Sequence, residues 1–277
     1  MIDDQDDDEV DDLVAPTEDV ATVLADTADP EATLRAKIPA DLFEKYEFYS
    51  YRSAATILSE NHPKEFSEIL EALRGFTITK DIIRKPGGNE SDIPKLLNAA
   101  LRPLGWHETI VQGDLLVKLR WKEPKLKNGQ PVMKSGKPVF EPQQRDLRRE
   151  KYLDGHKIDY VKGRVAFDLE WNSKDQTFDR DLYAFSAFAQ CGVIDAAILV
   201  TRSATLNPVF RALGPALNSK GNVEMKNGKP RMTLEKYGAS TTWMGKLIYR
   251  LNAGRNGGCP VLAVGIKPAC VSDWTTP

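Results

Sequence analysis

The stretch Val165-Ala166-Phe167-Asp168-Leu169-Glu170-Trp171-Asn172 decides how the chain is read. Side chains of a strand alternate between its two faces. Val165, Phe167, Leu169 and Trp171 therefore share an apolar face, and Asp168, Glu170 and Asn172 share the other. Two carboxylates then stand on one face, roughly 7 Å apart along the strand. Like charges so placed repel. A divalent cation relieves them, and Mg2+ prefers oxygen ligands while keeping several waters. Asp159 belongs to a preceding short strand, His156 to Tyr160, across a turn at Lys162-Gly163. A hairpin there brings a third carboxylate to the pair. Such a trio can hold Mg2+ against a phosphate oxygen and lower the pKa of an attacking water. The same alternation also fits a solvated sheet face with its acids outward, and spacing alone leaves that open.

Outward from that stretch the pattern is α/β. Asp179 to Cys191 has helical spacing, with Leu182, Phe185, Phe188 and Ala189 on one side. Ile194 to Thr201 and Val261 to Ile266 are apolar runs of buried-strand length. Thr241 to Leu251 reads as a helix. Upstream, Phe66, Ile69, Leu70 and Leu73 mark a helix that Gly75 can end. A second helix follows a Pro86-Gly87-Gly88-Asn89 turn, with Ser91 as its cap. Residues 40–60 have mixed helical spacing (Leu42, Tyr46, Tyr49). Leu115 to Trp121 reads as a strand, and Asn128-Gly129 and Ser135-Gly136 suit exposed hairpin turns. No internal repeat is evident. The expected fold is α/β, a mixed central β-sheet flanked by helices.

Composition narrows the class. At about 150 residues per domain, 277 residues allow one large domain or two small ones, and 41% apolar with 28% charged is a globular balance. No apolar run approaches the roughly 18 residues of a membrane span, and Met1 is followed by acids rather than a basic and then apolar leader. Three cysteines and three histidines lack CxxC or HxxxH spacing, against a disulfide framework or structural zinc and in keeping with a reducing cytoplasm. Cys191 and Cys259 read as packing residues. Residues 1–31 hold thirteen acids and no Lys or Arg, which leaves 38 bases against 27 acids in the rest. The expected organisation is an acidic disordered tail over 1–34 and a single domain over 35–277, with ordered structure starting near Ile38-Pro39. A basic body attracts polyanions, nucleic acid first. The tail would either compete with phosphates for that surface or serve solubility alone.

Asp159, the Asp168-Leu169-Glu170 pair nine residues on and Trp171-Asn172-Ser173-Lys174-Asp175 resemble the active-site region of type II restriction endonucleases of the BglII/BstYI group. BamHI is a more distant relative within the same PD…(D/E)xK superfamily. Ile158 stands where the superfamily has proline and Glu170 where it has lysine; this subgroup carries Glu or Gln there. The resemblance spans roughly residues 66–266, leaving the tail and residues 122–150 unmatched. It implies a restriction-endonuclease-like core and Mg2+-dependent cleavage of double-stranded DNA by a homodimer. It implies a palindromic six-base site centred on GATC, 5′-phosphate ends with four-base 5′ overhangs, and a cognate DNA methyltransferase in a prokaryotic cytoplasm. Asp159, Asp168 and Glu170 become catalytic metal ligands, with Glu170 also positioning or activating the water, and Lys174 an alternative source of positive charge. Tyr237-Gly238-Ala239-Ser240-Thr241-Thr242-Trp243, opening the helix to Leu251, resembles a base-contacting segment. The implied DNA contacts are Asn172, Ser173, Lys174, Asp175, Ser240, Thr241 and Thr242, with Arg202 either on DNA or in a surface ion pair. Two other readings remain: a structure- or damage-directed nuclease on the same core, and a DNA-binding protein whose acids hold no metal.

Overall fold

A computed structural model describes residues 28–86, 92–238 and 240–275. Residues 1–27, the turn glycines Gly87 and Gly88, and Ser91 lie outside the described residues. In chain order the main elements are α1 Glu31–Lys37, α2 Ala40–Lys45, β1 Tyr46–Tyr51, α3 Ala54–Asn61, α4 Pro63–Gly75, α5 Lys80–Arg84, α6 Asp92–Leu101 and β2 His107–Pro124. Four short strands follow, β3 Leu126–Lys127, β4 Gln130–Pro131, β5 Met133–Lys134 and β6 Lys137–Pro138, then β7 Phe140–Lys162 and β8 Val165–Glu170. The chain continues with α7 Thr177–Gln190, β9 Ala196–Arg202, α8 Asn207–Ala212, β10 Met225–Lys226, β11 Lys229–Pro230, α9 Thr233–Lys236, α10 Met244–Asn252 and β12 Val261–Ile266. The sheet has six strands in the order β1-β12-β9-β8-β7-β2. The β8–β9 and β9–β12 pairs are parallel; β1–β12 and β7–β8 are antiparallel. A parallel pair needs a crossover, and α7 supplies it between β8 and β9. The expected α/β class with a mixed, helix-flanked sheet is what forms.

Both faces of the central strands β8, β9 and β12 are covered. Phe167, Leu169, Ile198, Val200, Leu262 and Val264 share one core with Leu58, Phe66, Ile69 and Leu73 of α3 and α4. The other face meets α7 and α10, through Phe178, Leu182, Phe185, Leu247 and Leu251. All six residues of β8 are buried.

Four expectations change. Ordered structure begins before Ile38-Pro39, because α1 buries Leu34. Residues 40–60 are not continuously helical: β1 interrupts them, its aromatic-rich Tyr46–Tyr51 suiting a pleated edge. The helix expected from Thr241 starts at Met244, after an extended segment. Cys191 is exposed, while Cys259 is buried as expected.

A repeat is present after all. Lys125-Leu-Lys-Asn-Gly-Gln-Pro131, Val132-Met-Lys-Ser-Gly-Lys-Pro138 and Glu224-Met-Lys-Asn-Gly-Lys-Pro230 are one seven-residue pattern. Each forms a hairpin with positive φ at both central residues (Asn128 and Gly129, Ser135 and Gly136, Asn227 and Gly228). That is the backbone a two-residue hairpin of this twist requires. The contacts divide the chain into two compact units, one running to Thr109 and resuming at Lys157, the other Ile110–His156. The second is a two-stranded ribbon of β2 and β7 carrying the first two repeats. No helix among the described residues is long and apolar enough to cross a membrane.

Candidate active site

The hairpin between β7 and β8 sets the register of the acids. Lys162 pairs with Val165 across Gly163-Arg164, and Tyr160 pairs with Phe167. Gly163 has φ +54°, and a Cβ there would also stand 2.9 Å from the Glu65 carboxylate. One step further along this register sets Asp159 opposite Asp168, on the same face, and the two carboxyls interact directly. Glu170 follows two residues on. Asp168 is 4% exposed and Glu170 7%. The acid face of β8 is therefore no solvated sheet face.

Helix α7 covers that face and adds a carboxylate absent from the sequence reading. Asp181, 2% exposed, falls three residues after Phe178 and four before Phe185, within the apolar stripe of the helix. That position was the available signal, since acids seldom lie on a buried stripe. Arg180 Nε and Nη2 donate to Asp181 Oδ1 at 3.0 and 2.9 Å, and Nη2 also donates to Glu170 Oε1 at 3.3 Å. Lys157 is a second basic neighbour: it pairs with Glu108 at 2.5 Å and feels the charges of Asp159 and Asp168.

Burial and mutual repulsion dominate the electrostatics. Burial, then the charges of Asp181, Asp159 and Glu170, holds the Asp168 carboxyl well above the usual carboxylate range. Burial raises Glu170 as well, opposed by the Ser173 hydroxyl and Arg180. Asp181 is pushed up to about 8 by burial and by Glu170, against the pull of Arg180. Acids tuned this far apart from water mark functional sites more often than structural ones.

The donor set is all carboxylate oxygen, which suits a hard cation such as Mg2+. Among the described residues no three His, Cys, Asp or Glu side chains form a ready-made cage. Mg2+ does not ask for one, since it is usually bound by one or two carboxylates with waters and substrate phosphate. The residues fit the ion in chemistry and charge.

Beside the acids, two of the segments expected to meet DNA are joined. Asp175 N donates to Ser240 O at 3.0 Å and Thr242 N to Ser173 O at 2.9 Å, an antiparallel bridge centred on Lys174 and Thr241. Lys174 and Ser240 are exposed, whereas Ser173 and Thr241 are half-buried. Asn172 is half-buried and donates to Lys236 O at 3.0 Å. Asp175 is held by Lys246 at 2.8 Å and Arg250 at 3.5 Å. Thr242 is fully buried and donates to Glu170 O at 3.2 Å, as Thr201 does at 2.7 Å. Arg202 is not at the surface. It is 2% exposed, lies over the rings of Phe210 and Tyr237, and donates to Tyr237 O and Thr241 Oγ1 at 2.9 and 2.6 Å. Burial lowers its pKa to about 10. Arg202 thus braces the 237–242 segment from inside. Trp171 is core, edge-on to Phe210 and Tyr237.

No curated protein matches the chain. A family model described as restriction endonuclease BglII/BglIII matches residues 46–266, from the first strand of the sheet to the last and through every acid described above. The chain therefore belongs to the BglII/BglIII restriction endonuclease family and is a type II, site-specific deoxyribonuclease acting on DNA.

Proposed function

We propose that the enzyme is a Mg2+-dependent homodimer that cuts both strands of a palindromic, six-base, GATC-centred site and leaves 5′-phosphate ends with four-base 5′ overhangs. The observation that carries the site assignment is the register placing Asp159 opposite Asp168, with Glu170 two residues on. Asp159, Asp168 and Glu170 would hold the ion. When bound, Mg2+ supplies positive charge to the scissile phosphate and to the attacking water. Glu170 accepts a hydrogen bond from that water and holds it in line with the phosphorus and the leaving 3′ oxygen. A two-fold dimer presents one such site to each strand of a palindrome.

The bridged pair Ser173–Asp175 and Ser240–Thr242 supports base reading beside this site. Lys174 and Ser240 point the reading edge toward solvent, and Asn172, Ser173 and Thr241 flank it. Asp175, Thr242 and Arg202 fix the edge from behind through the bonds given above. The residual domain reading stands as a proposal too: an acidic N-terminal tail on one endonuclease domain, in a prokaryotic cytoplasm beside a cognate methyltransferase.

Digestion of a long duplex of known sequence, with Mg2+ and with EDTA, followed by end sequencing, tests the reading. Discrete metal-dependent fragments ending at one GATC-centred palindrome are expected. A smear would move the assignment to a structure- or damage-directed nuclease. Asp168→Ala is expected to abolish cutting while sparing most DNA affinity, and full cutting by that variant would sink the metal-site assignment.

A further inference from the structure

Asp181 is the one acid of the cluster that the strand hairpin does not explain. It comes from α7, one residue after Arg180, and its side chain is 1% exposed while that of Arg180 is 70% exposed. Oδ1 takes both bonds from Arg180. Oδ2 is buried and accepts no hydrogen bond. The Asp181 and Glu170 carboxyls interact directly, which makes Asp181 a member of the acid cluster. A buried carboxylate oxygen without a donor is costly to leave so. An aliphatic residue at this position would complete the stripe of Phe178, Leu182 and Phe185 without that cost. An exposed arginine such as Arg180 does not need a buried partner. Ion pairing with Arg180 therefore explains Oδ1 and leaves Oδ2 unexplained.

A hard cation explains it. We infer that Asp181 is a direct ligand of a divalent cation, shared with Glu170, and that Arg180 is the mobile counter-charge of that carboxylate pair. The inference rests on the reading of Asp159, Asp168 and Glu170 as metal ligands and adds a ligand from a different element. It makes α7 both the cover of the acid face and a contributor to its ion binding.

Binding of Mn2+ to the full chain without DNA, followed by the loss of the free-ion paramagnetic resonance signal, reads this directly. Asp181→Asn is expected to weaken Mn2+ binding about tenfold or more while leaving a cooperative thermal transition. Arg180→Ala is expected to tighten it, because the pair loses its competing charge. In a Cys191→Ser background, which removes the exposed thiol, Asp181→Cys is expected to lose Mn2+ but gain Cd2+, seen as an ultraviolet thiolate-to-cadmium band absent from Cys191→Ser alone, since thiolate ligands select soft ions. A purely structural Asp181 would move melting temperature only. Mn2+ binding by Asp181→Asn equal to the parent, with Asp168→Asn impaired, would overturn this inference and keep the metal site. No Mn2+ binding by the parent chain would overturn both. If Asp181→Asn does not fold, unchanged Mn2+ affinity in Arg180→Ala together with no Cd2+ band in Asp181→Cys overturns the inference by itself.

Discussion

The same three-way junction of backbone occurs twice, once in each compact unit, and its surroundings differ. In the ribbon, Lys125 N bonds Val139 O, Val139 N bonds Val132 O and Val132 N bonds Lys125 O, at 2.7 to 2.8 Å. In the other unit, Ala216 N bonds Arg231 O, Arg231 N bonds Glu224 O and Glu224 N bonds Ala216 O, each at 2.8 Å. Both hubs carry hairpins of the seven-residue pattern. The ribbon junction is almost wholly exposed, Leu126, Met133 and Phe140 included. The other is tied down. Ala216 is fully buried, Arg84 Nε donates to Pro215 O at 3.0 Å, and Leu217 N donates to Arg84 O at 2.9 Å. Local turn chemistry therefore suffices to draw the backbone. Whether the drawing contributes to global stability depends on what covers it.

The strongest way to break the contrast is at Lys236, which follows the anchored junction. Its buried ammonium donates to Ile83 O at 3.2 Å, Arg84 O at 3.0 Å and Lys85 O, capping the carbonyls at the end of α5. Lys236→Met takes the ammonium donor from Lys85 O and one of two donors from Ile83 O and Arg84 O, and is expected to cost about 3 kcal/mol, a fall of roughly 6–12 °C in Tm. It should also loosen Tyr237, whose hydroxyl bonds Ile83 O at 2.8 Å, and with it the 237–242 segment. Burial lowers the Lys236 pKa to about 8. Below that value the folded and unfolded chains both hold the proton and the whole penalty applies. From about 8 up to the unfolded value near 10.4, the unfolded chain holds more of it, so this group makes stability rise with pH. Urea unfolding of the parent and of Lys236→Met across that window should diverge in this direction; parallel curves would remove Lys236 from the account.

Much of this fold is legible in the sequence. Ala196–Val200 and Val261–Ile266 are apolar because strands buried on both faces are mostly so, and Val165–Glu170 departs from this only at Asp168 and Glu170. The Asp159–Asp168 pairing was legible because a two-residue hairpin converts sequence distance directly into register. The failures share a cause in tertiary context. Leu42, Tyr46 and Tyr49 fall at helical spacing by coincidence, and pairing of β1 with β12 overrides it. Thr241 and Thr242 are extended because Ser173 and Asp175, far back in the chain, supply their partners. Asp181 lies within the apolar stripe of α7, a local signal, but its meeting with Glu170 depends on the packing of α7 against β8. The repeat is faint because only three of its seven positions, a Lys, a Gly and a Pro, are the same in all three copies.

A matched pair of substitutions sharpens the contrast at the hubs. Ala216 and Lys125 occupy equivalent places in the two junctions, one fully buried and one exposed. Ala216→Leu overpacks its site and is expected to cost about 1–3 kcal/mol. Lys125→Leu is expected to change unfolding free energy by less than about 0.5 kcal/mol. Equal losses in urea titrations would mean that the ribbon junction is covered by something in solution.

The smallest effects come from the turns themselves, where local chemistry is held constant. Gly129, Gly136 and Gly228 have φ of +78°, +76° and +77°, and none has a neighbouring atom within 4 Å of an added Cβ. Alanine at any of them therefore adds backbone strain of about 1 kcal/mol and nothing else. In Gly228→Ala the strain must be borne by a junction held to Arg84 and to buried Ala216, so Tm is expected to fall by roughly 2–4 °C. In Gly129→Ala and Gly136→Ala the ribbon tip can open alone, with Tm unchanged and amide exchange accelerated only near the tip. Identical local strain with different global readings would place the difference in anchoring, where the structure puts it. A Tm loss in Gly129→Ala as large as in Gly228→Ala would instead mean that the ribbon unfolds together with the sheet, and the two junctions would be energetically one.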